Sequence, residues 1–293
     1  MAMQKKKLEI NINAPCNYKL SPTCISILEK LFLTNNRMLN IAKNIYNNIT
    51  VTPMNKRILQ KKLEKISIHY REKDGIKYNI IVYKYNDINN IPKILKIYNY
   101  DGNNNIESLT IKEITFQIYA KNIIKECEFN VPNIYKYGKI ILDEESNLEG
   151  ITYRCIFFIE MEYLSYFTLR NFINDNKTLF DSNNRLCTIL SNKINNVIAC
   201  MKLNNLHHND LHSDNILIRF NGNDKFDIYI IDFGETSDHI INLSEDKYIY
   251  NCAKMKNLVS NNKQSFKNTA DMRSFKYMTD MRSFKNSIKL SNI

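Results

Sequence analysis

The sequence predicts an α+β chain of two lobes, a small antiparallel sheet and then a mainly helical half, behind an N-terminal helical extension. Three observations carry this. Apolar residues recur at roughly helical spacing early in the chain (Ile27, Leu28, Leu31, Phe32, Met38, Leu39, Ala42, Ile45). Short β-branched and aromatic runs, separated by turn residues, fill 64–100, and helical text dominates from 168 onward. With 293 residues, 44% of them hydrophobic, the chain is long enough to bury a core as one large domain or two lobes. The boundaries read from these patterns are 1–60 for the extension, 61–160 for the first lobe and 161–293 for a short second lobe.

In the extension, Ser21 is placed to cap a helix with Pro22 in its first turn, and the helical text of one or two helices ends before Pro53. "KISIHY", "KYNIIVYKY" and "PKILKIYNY" then read as three antiparallel strands, with Asp74-Gly75 and Asn89-Asn90 at the turns. "SLTIKEITFQIYAKNIIKE" follows as a helix with Ile111, Ile114, Ile118 and Ala120 on one face. Strand text returns at 134–142 and 153–162. "LRNFI" and "RLCTILSNKINNVIACMKLNN" are helical, and "NILIRF" and "KFDIYIIDF" form a hairpin across Asn221-Gly222-Asn223-Asp224. Ser-Phe-Lys recurs at 265, 274 and 283. Nine residues are about two and a half helical turns, so Phe266, Phe275 and Phe284 would alternate between faces, and the repeat reads as a local duplication.

The formal charge is +11 and the pI about 9.1, a field that favours anionic partners. The lysines are scattered apart from Lys5–Lys7, so the bias reads as a solvated surface and nucleic acid is not specifically indicated. The heavy use of Asn, Ile, Lys and Tyr reads as A/T-rich coding. Seven widely spaced cysteines without a Cys-x-x-Cys pair predict reduced, buried thiols and an intracellular protein. No apolar stretch follows the basic N-terminus and no 18-residue apolar run occurs, so neither a signal peptide nor a membrane span is expected.

The chemistry concentrates in "NNLHHNDLHSDNILIRF", residues 204–220. His208 and His212 stand four apart, a spacing that suits zinc on a helix, but a zinc protease needs Glu after the first His and this chain has Asn209 and Asp210. The second reading is His208-x-Asp210 followed by Asn215, then a hairpin, then Asp232-Phe233-Gly234. In this order the chain resembles the protein kinase-like superfamily over roughly residues 64–285. The resemblance implies ATP and Mg²⁺ as cofactors, with Asp210 as the base for the attacking hydroxyl and Asn215 and Asp232 as Mg²⁺ ligands. Lys96 of "PKILKIY" matches the phosphate-binding lysine, with Lys93 as its rival, and Glu113 matches the helix glutamate that pairs with it. "FFIEMEYL" resembles the hinge, so adenine would lie at Met161, Glu162 and Leu164, against backbone groups of the last two.

The implied function is a Ser/Thr protein kinase, similar to kinase-like proteins of large DNA viruses with the same base bias. Such a protein would act in the host cytoplasm or the virion on a protein Ser/Thr hydroxyl. Where the family has a glycine-rich loop, "YREKDGIKYN" has only Gly75, so Arg71, Lys73 or Lys77 would meet the phosphates by charge, or the protein would be a weakly catalytic binding module. Asn209 stands where regulated kinases have arginine, which predicts activity independent of loop phosphorylation. His212 stands where Ser/Thr kinases have lysine. "DLH" is similar to aminoglycoside and choline kinases and to haspin-type kinases, which keeps a small-molecule alcohol open as substrate. No Ala-Pro-Glu follows, and Asp271 or Asp280 would brace the catalytic loop.

Overall fold

The computed structural model describes residues 22–54, 63–73, 76–100, 104–148, 151–182, 184–222, 225–238 and 250–257. Ser21, Gly75, Asp271, Asp280, Lys5–Lys7 and the Ser-Phe-Lys repeat lie outside them. The chain is α+β, and its contacts divide it into two units, Met1–Asn122 with Val131–Leu164 and Asp232–His239, and Ile123–Asn130 with Ser165–Ile231 and Ile240–Ile293. No helix among the described residues is long and apolar enough to cross a membrane.

The first unit is built on a six-stranded sheet in the order β1-β5-β6-β4-β3-β2. Its strands are β1 (Thr50–Met54), β2 (Glu64–Lys73), β3 (Ile76–Asn86), β4 (Pro92–Tyr100), β5 (Ile134–Leu148) and β6 (Ile151–Glu162). β2, β3 and β4 pair antiparallel, as the alternating text predicts, and β6 pairs antiparallel with both β4 and β5. Ile97, Ile140, Leu142 and Ile156 form an apolar cluster with Leu95, Tyr83 and Phe158 packed against it.

The extension departs from its helical reading. Helices α1 (Pro22–Leu31) and α2 (Asn36–Asn48) form, the second capped by Asn35, whose Oδ1 accepts the Met38 N–H at 3.1 Å. The chain then turns extended at Ile49, and Thr50–Met54 joins the sheet as β1, parallel to β5 with Thr50 opposite Gly138. Thr50, Val51 and Thr52 are β-branched strand formers. Pro53 lacks a ladder donor and is tolerated because β1 is the edge strand.

Helix α3 (Asn104–Cys127) is buried nearly all round from Ile106 to Ala120, rather than on the single face its isoleucines mark. Phe32 of the extension meets Phe116 edge-on at 5.4 Å, and the Arg37 guanidinium lies 5.3 Å from the Tyr119 ring centre. The polar residues of α3 are partnered. Lys139 donates to Glu107 Oε1 at 2.7 Å, Gln117 donates to Pro132 O at 2.9 Å, and the Thr110 and Thr115 hydroxyls bond back one turn to Ile106 O and Ile111 O. Such partners are what make burial of polar groups tolerable.

The second unit packs α4 (Leu169–Asp175), α5 (Lys177–Ser182), α6 (Asn184–Leu203) and α7 (Cys252–Asn257) with a sheet of β7 (Phe167–Thr168), β8 (Ile216–Phe220) and β9 (Phe226–Ile230). Leu190, Ile194, Val197 and Met201 of α6 are buried, as are Ile216, Ile218, Ile228 and Ile230 of the hairpin. Phe172 meets Phe180 and Phe226 edge-on. The β8–β9 turn uses Gly222 at φ 78°, the left-handed conformation glycine adopts without strain. Asn130 bridges β9, accepting from Ile230 N and donating to Ile228 O.

The expectation of reduced, buried thiols is overturned for Cys127, Cys155 and Cys200 and holds for Cys24 and Cys187. Cys127, at the end of α3, is disulfide-bonded to Cys200 on α6, with Cα atoms 5.3 Å apart, and Cys155 is also disulfide-bonded. Cys24 and Cys187 are buried and outside any disulfide. The pair is 73 residues apart in sequence, so only the packing of α3's last turn on α6 brings the two sulfurs together.

Candidate functional site

Strand alternation separates the two rival lysines. On β4, Ile94, Lys96 and Tyr98 point to one side of the sheet and Lys93, Leu95 and Ile97 to the other. Lys93 is held by Glu160 (3.0 Å) and Asp87 (3.2 Å) and lies over the Tyr135 ring. Lys96 meets different partners: its ammonium donates to Glu113 Oε1 of α3 at 2.7 Å and to Asp232 Oδ1 at 2.7 Å. Lys96, Glu113 and Asp232 are thus brought together in the first unit.

Tyr98 completes this group, its hydroxyl donating to the other Glu113 oxygen, Oε2. Burial works to lower the Lys96 pKa, but the Asp232 and Glu113 carboxylates outweigh it and hold the ammonium well above the ordinary lysine range. Burial pushes the Glu113 carboxyl up, against the pull of Lys96, and Asp232 adds to the rise. The Lys96 direction comes from two carboxylates sharing one buried cation, and the Glu113 direction comes first from burial. The two acids differ in access: the Glu113 side chain is 3% exposed and that of Asp232 41%. Space is tight at Gly234, where a Cβ would stand 3.3 Å from Glu113 Oε2 and 3.6 Å from Asp232 Oδ1, so the Glu113 carboxylate would have to give by a few tenths of an ångström. Asp232 itself sits at φ 64°, in the left-handed region that Asp and Asn enter at the least cost after glycine.

In the second unit, His207–Asn215 is not helical, so His208 and His212 do not share a helix face. The His208 ring nitrogen Nε2 lies 3.0 Å from Ile231 O, and Ile231 N donates to Asn215 O at 3.1 Å, which fastens the loop to the residue after β9. Asp210 O accepts from both His212 N (2.9 Å) and Asn215 Nδ2 (2.8 Å). That bond fixes the Asn215 amide so that its oxygen is the atom available to a ligand. His212 lies with Nε2 3.7 Å from Asp210 Oδ2 and Nδ1 accepting from Asp214 N at 3.2 Å. Asn209 has φ 60°, a conformation Asn tolerates far better than arginine.

At the expected hinge, Met161, Glu162, Tyr163 and Leu164 are half-buried. The Glu162 N–H is taken by Asn133 O at 2.9 Å, and the Glu162 carboxylate accepts from Asn133 N and Nδ2. The Glu162 N–H is therefore already engaged and not open to a ligand. Lys84 stands over the Tyr163 ring at 4.4 Å.

Among the described residues, no three His, Cys, Asp or Glu side chains gather as a metal site. Mg²⁺ in a phosphate site needs only one or two protein oxygens beside phosphate oxygens and water. Each unit offers one hard oxygen donor, the Asp232 carboxylate in the first and the Asn215 amide oxygen in the second.

Three contributors were not apparent from the sequence. Tyr98 carries no signal beyond its place two residues after Lys96. Arg170 on α4 grips Asp214 with bonds of 2.9 and 3.0 Å from Nε and 2.7 Å from Nη2. Tyr250 donates to Leu211 O at 3.2 Å, while its own backbone is held by Asn195 through bonds of 2.9 and 2.8 Å. Asp271 and Asp280, expected to brace the loop, lie outside the described residues. Comparison of the chain with protein-family models gives no match, and comparison with curated proteins gives none either.

Proposed function

We propose that this chain is an ATP- and Mg²⁺-dependent phosphotransferase of protein kinase-like, two-lobed organisation, moving the γ-phosphoryl group to a Ser/Thr hydroxyl of a protein. The observation that carries the reading is the sharing of the Lys96 ammonium between a buried glutamate and an exposed aspartate, each at 2.7 Å. Glu113 is the permanent partner, enclosed by Tyr98 and Gly234. Asp232 is the partner a phosphate can replace. Lys96 would then meet the nucleotide phosphates already charged and already aimed, without reorganisation at the moment of reaction.

In this reading Asp210 takes the proton of the attacking hydroxyl as its oxygen bonds the γ-phosphorus, the bond to the β-phosphate oxygen breaks, and ADP leaves with that electron pair. Asn215 and Asp232 would hold Mg²⁺. When bound, the ion would supply positive charge against the negative charge that develops on the phosphate oxygens. Arg170, through Asp214, and Tyr250, through Leu211, keep the Asp210 loop in place.

A second reading, transfer to a small-molecule alcohol, is favoured by His212. Its imidazole stands beside Asp210 and Asn215 where a Ser/Thr kinase would carry lysine. Thermal unfolding with MgATP tests nucleotide binding: at a hundredfold excess over Kd the folded state should gain about 2.7 kcal/mol. Labelled-phosphate transfer to generic proteins, set against amino sugars and choline, then separates the two substrates. No Mg²⁺-dependent shift and no transfer would overturn both readings.

A further inference from the structure

Tyr98 is a phenol in a place where packing alone asks only for an apolar side chain. It is 3% exposed and stands on the Lys96 side of β4. It touches both members of the ion pair. Its hydroxyl donates to Glu113 Oε2, and its ring centre lies 5.5 Å from the Lys96 ammonium. Lys96 itself takes the other oxygen, Oε1, at 2.7 Å. The two Glu113 oxygens thus have separate donors. Gly234 closes off the Oε2 side, where even a methyl group would stand at 3.3 Å.

We propose that Tyr98 is a positioning residue for nucleotide binding, its hydroxyl fixing the rotation of the Glu113 carboxylate so that Oε1 alone holds Lys96 toward the phosphates. Without that hydroxyl, Oε2 is a buried carboxylate oxygen lacking a donor, and Lys96 is the donor already bonded to the same carboxylate. The carboxylate would turn to take the ammonium with both oxygens and draw it toward α3, away from incoming phosphate. Burial, reinforced by Glu113, holds the phenol pKa well above its ordinary value, so Tyr98 remains a donor throughout the neutral range.

This inference rests on the phosphotransferase reading, and the experiment keeps the two apart. The full chain and its Tyr98→Phe, Glu113→Gln and double variants are compared for MgATP affinity and for kcat/KM toward ATP. Tyr98→Phe keeps the ring and its packing. We expect it to weaken MgATP binding about tenfold, the cost of a lost hydrogen bond to a buried charge. In the Glu113→Gln background the same change should cost less than about twofold, because the charged carboxylate it orients is gone. A merely structural tyrosine would lower the unfolding temperature alone, or cost the same in both backgrounds, and either outcome overturns the proposal. Gly234→Ala approaches the same oxygen from the opposite side without touching Tyr98. It should weaken MgATP binding about fivefold by displacing the carboxylate, and unchanged affinity would count against the proposal even if Tyr98→Phe did not fold. A wild-type chain that binds no MgATP defeats the phosphotransferase reading itself.

Discussion

Replacing each acid that holds Lys96 should separate folding from function. Glu113→Gln removes the buried partner, 3% exposed, and leaves Lys96, itself 8% exposed, leaning on Asp232 alone. Breaking a buried pair by removing one partner costs about 3–5 kcal/mol. The surviving bond to Asp232 places this case near the lower end, at about 3 kcal/mol. Asp232→Asn removes a carboxylate that is 41% exposed and screened by solvent, and Lys96 keeps Glu113. Asn also accepts the φ of 64° at this position. Its cost should stay within about 1 kcal/mol. MgATP binding responds differently: Glu113→Gln should weaken it measurably with the fold destabilised, and Asp232→Asn should lose it with the fold nearly intact. Urea unfolding of the three proteins, followed by thermal shift with MgATP, measures both quantities. Equal destabilisation by the two variants would refute the assignment of Glu113 as anchor and Asp232 as the exchangeable partner. An undiminished nucleotide shift in Asp232→Asn would refute its role as a ligand.

Asp210→Asn should abolish phosphate transfer while leaving MgATP affinity within about twofold, as a lost base that makes no ground-state contact requires; labelled-phosphate transfer and thermal shift together check it. Burial first, and Glu107 second, push the Cys24 thiol from its ordinary 9.0 up to about 12. Its contribution to stability is therefore full below pH 9 and is lost as pH rises toward 12, at about 1.4 kcal/mol per pH unit. Urea unfolding at pH 8 and pH 10.5 should show Cys24→Ala losing about 2 kcal/mol less than the parent chain across that interval. Cys127→Ser opens a loop of 73-residue separation and should cost about 4 kcal/mol through the unfolded chain. A denaturant midpoint unmoved by the substitution would contradict the bond.

Much of the fold was legible because it is local. The β2–β3–β4 meander follows from alternation and turn residues, and the β8–β9 hairpin from the Asn-Gly signal. The choice between Lys93 and Lys96 needed the sheet: both lie in one strand three residues apart, and only the side each faces decides which meets Glu113. What the sequence hid was pairing at long range. β1 joins β5 across some ninety residues of chain, and its Pro53 reads as the end of a helical segment when edge and centre cannot be told apart. The buried polar side of α3 reads as solvated until Lys139, Pro132 and Tyr98 arrive from other elements to meet it. Cys127–Cys200, Arg170–Asp214 and Tyr250–Leu211 belong to the same class, contacts chosen by packing and left unmarked by spacing.

The most direct test is a crystal structure of the chain with Mg²⁺ and a non-hydrolysable ATP analogue. The expected result is one Mg²⁺ with Asp232 and Asn215 oxygens at about 2.1 Å, Lys96 on the nucleotide phosphates while still bonded to Glu113, and Asp210 facing the γ-phosphate. An analogue bound away from Lys96, or a metal held without Asp232 and Asn215, would contradict the phosphotransferase.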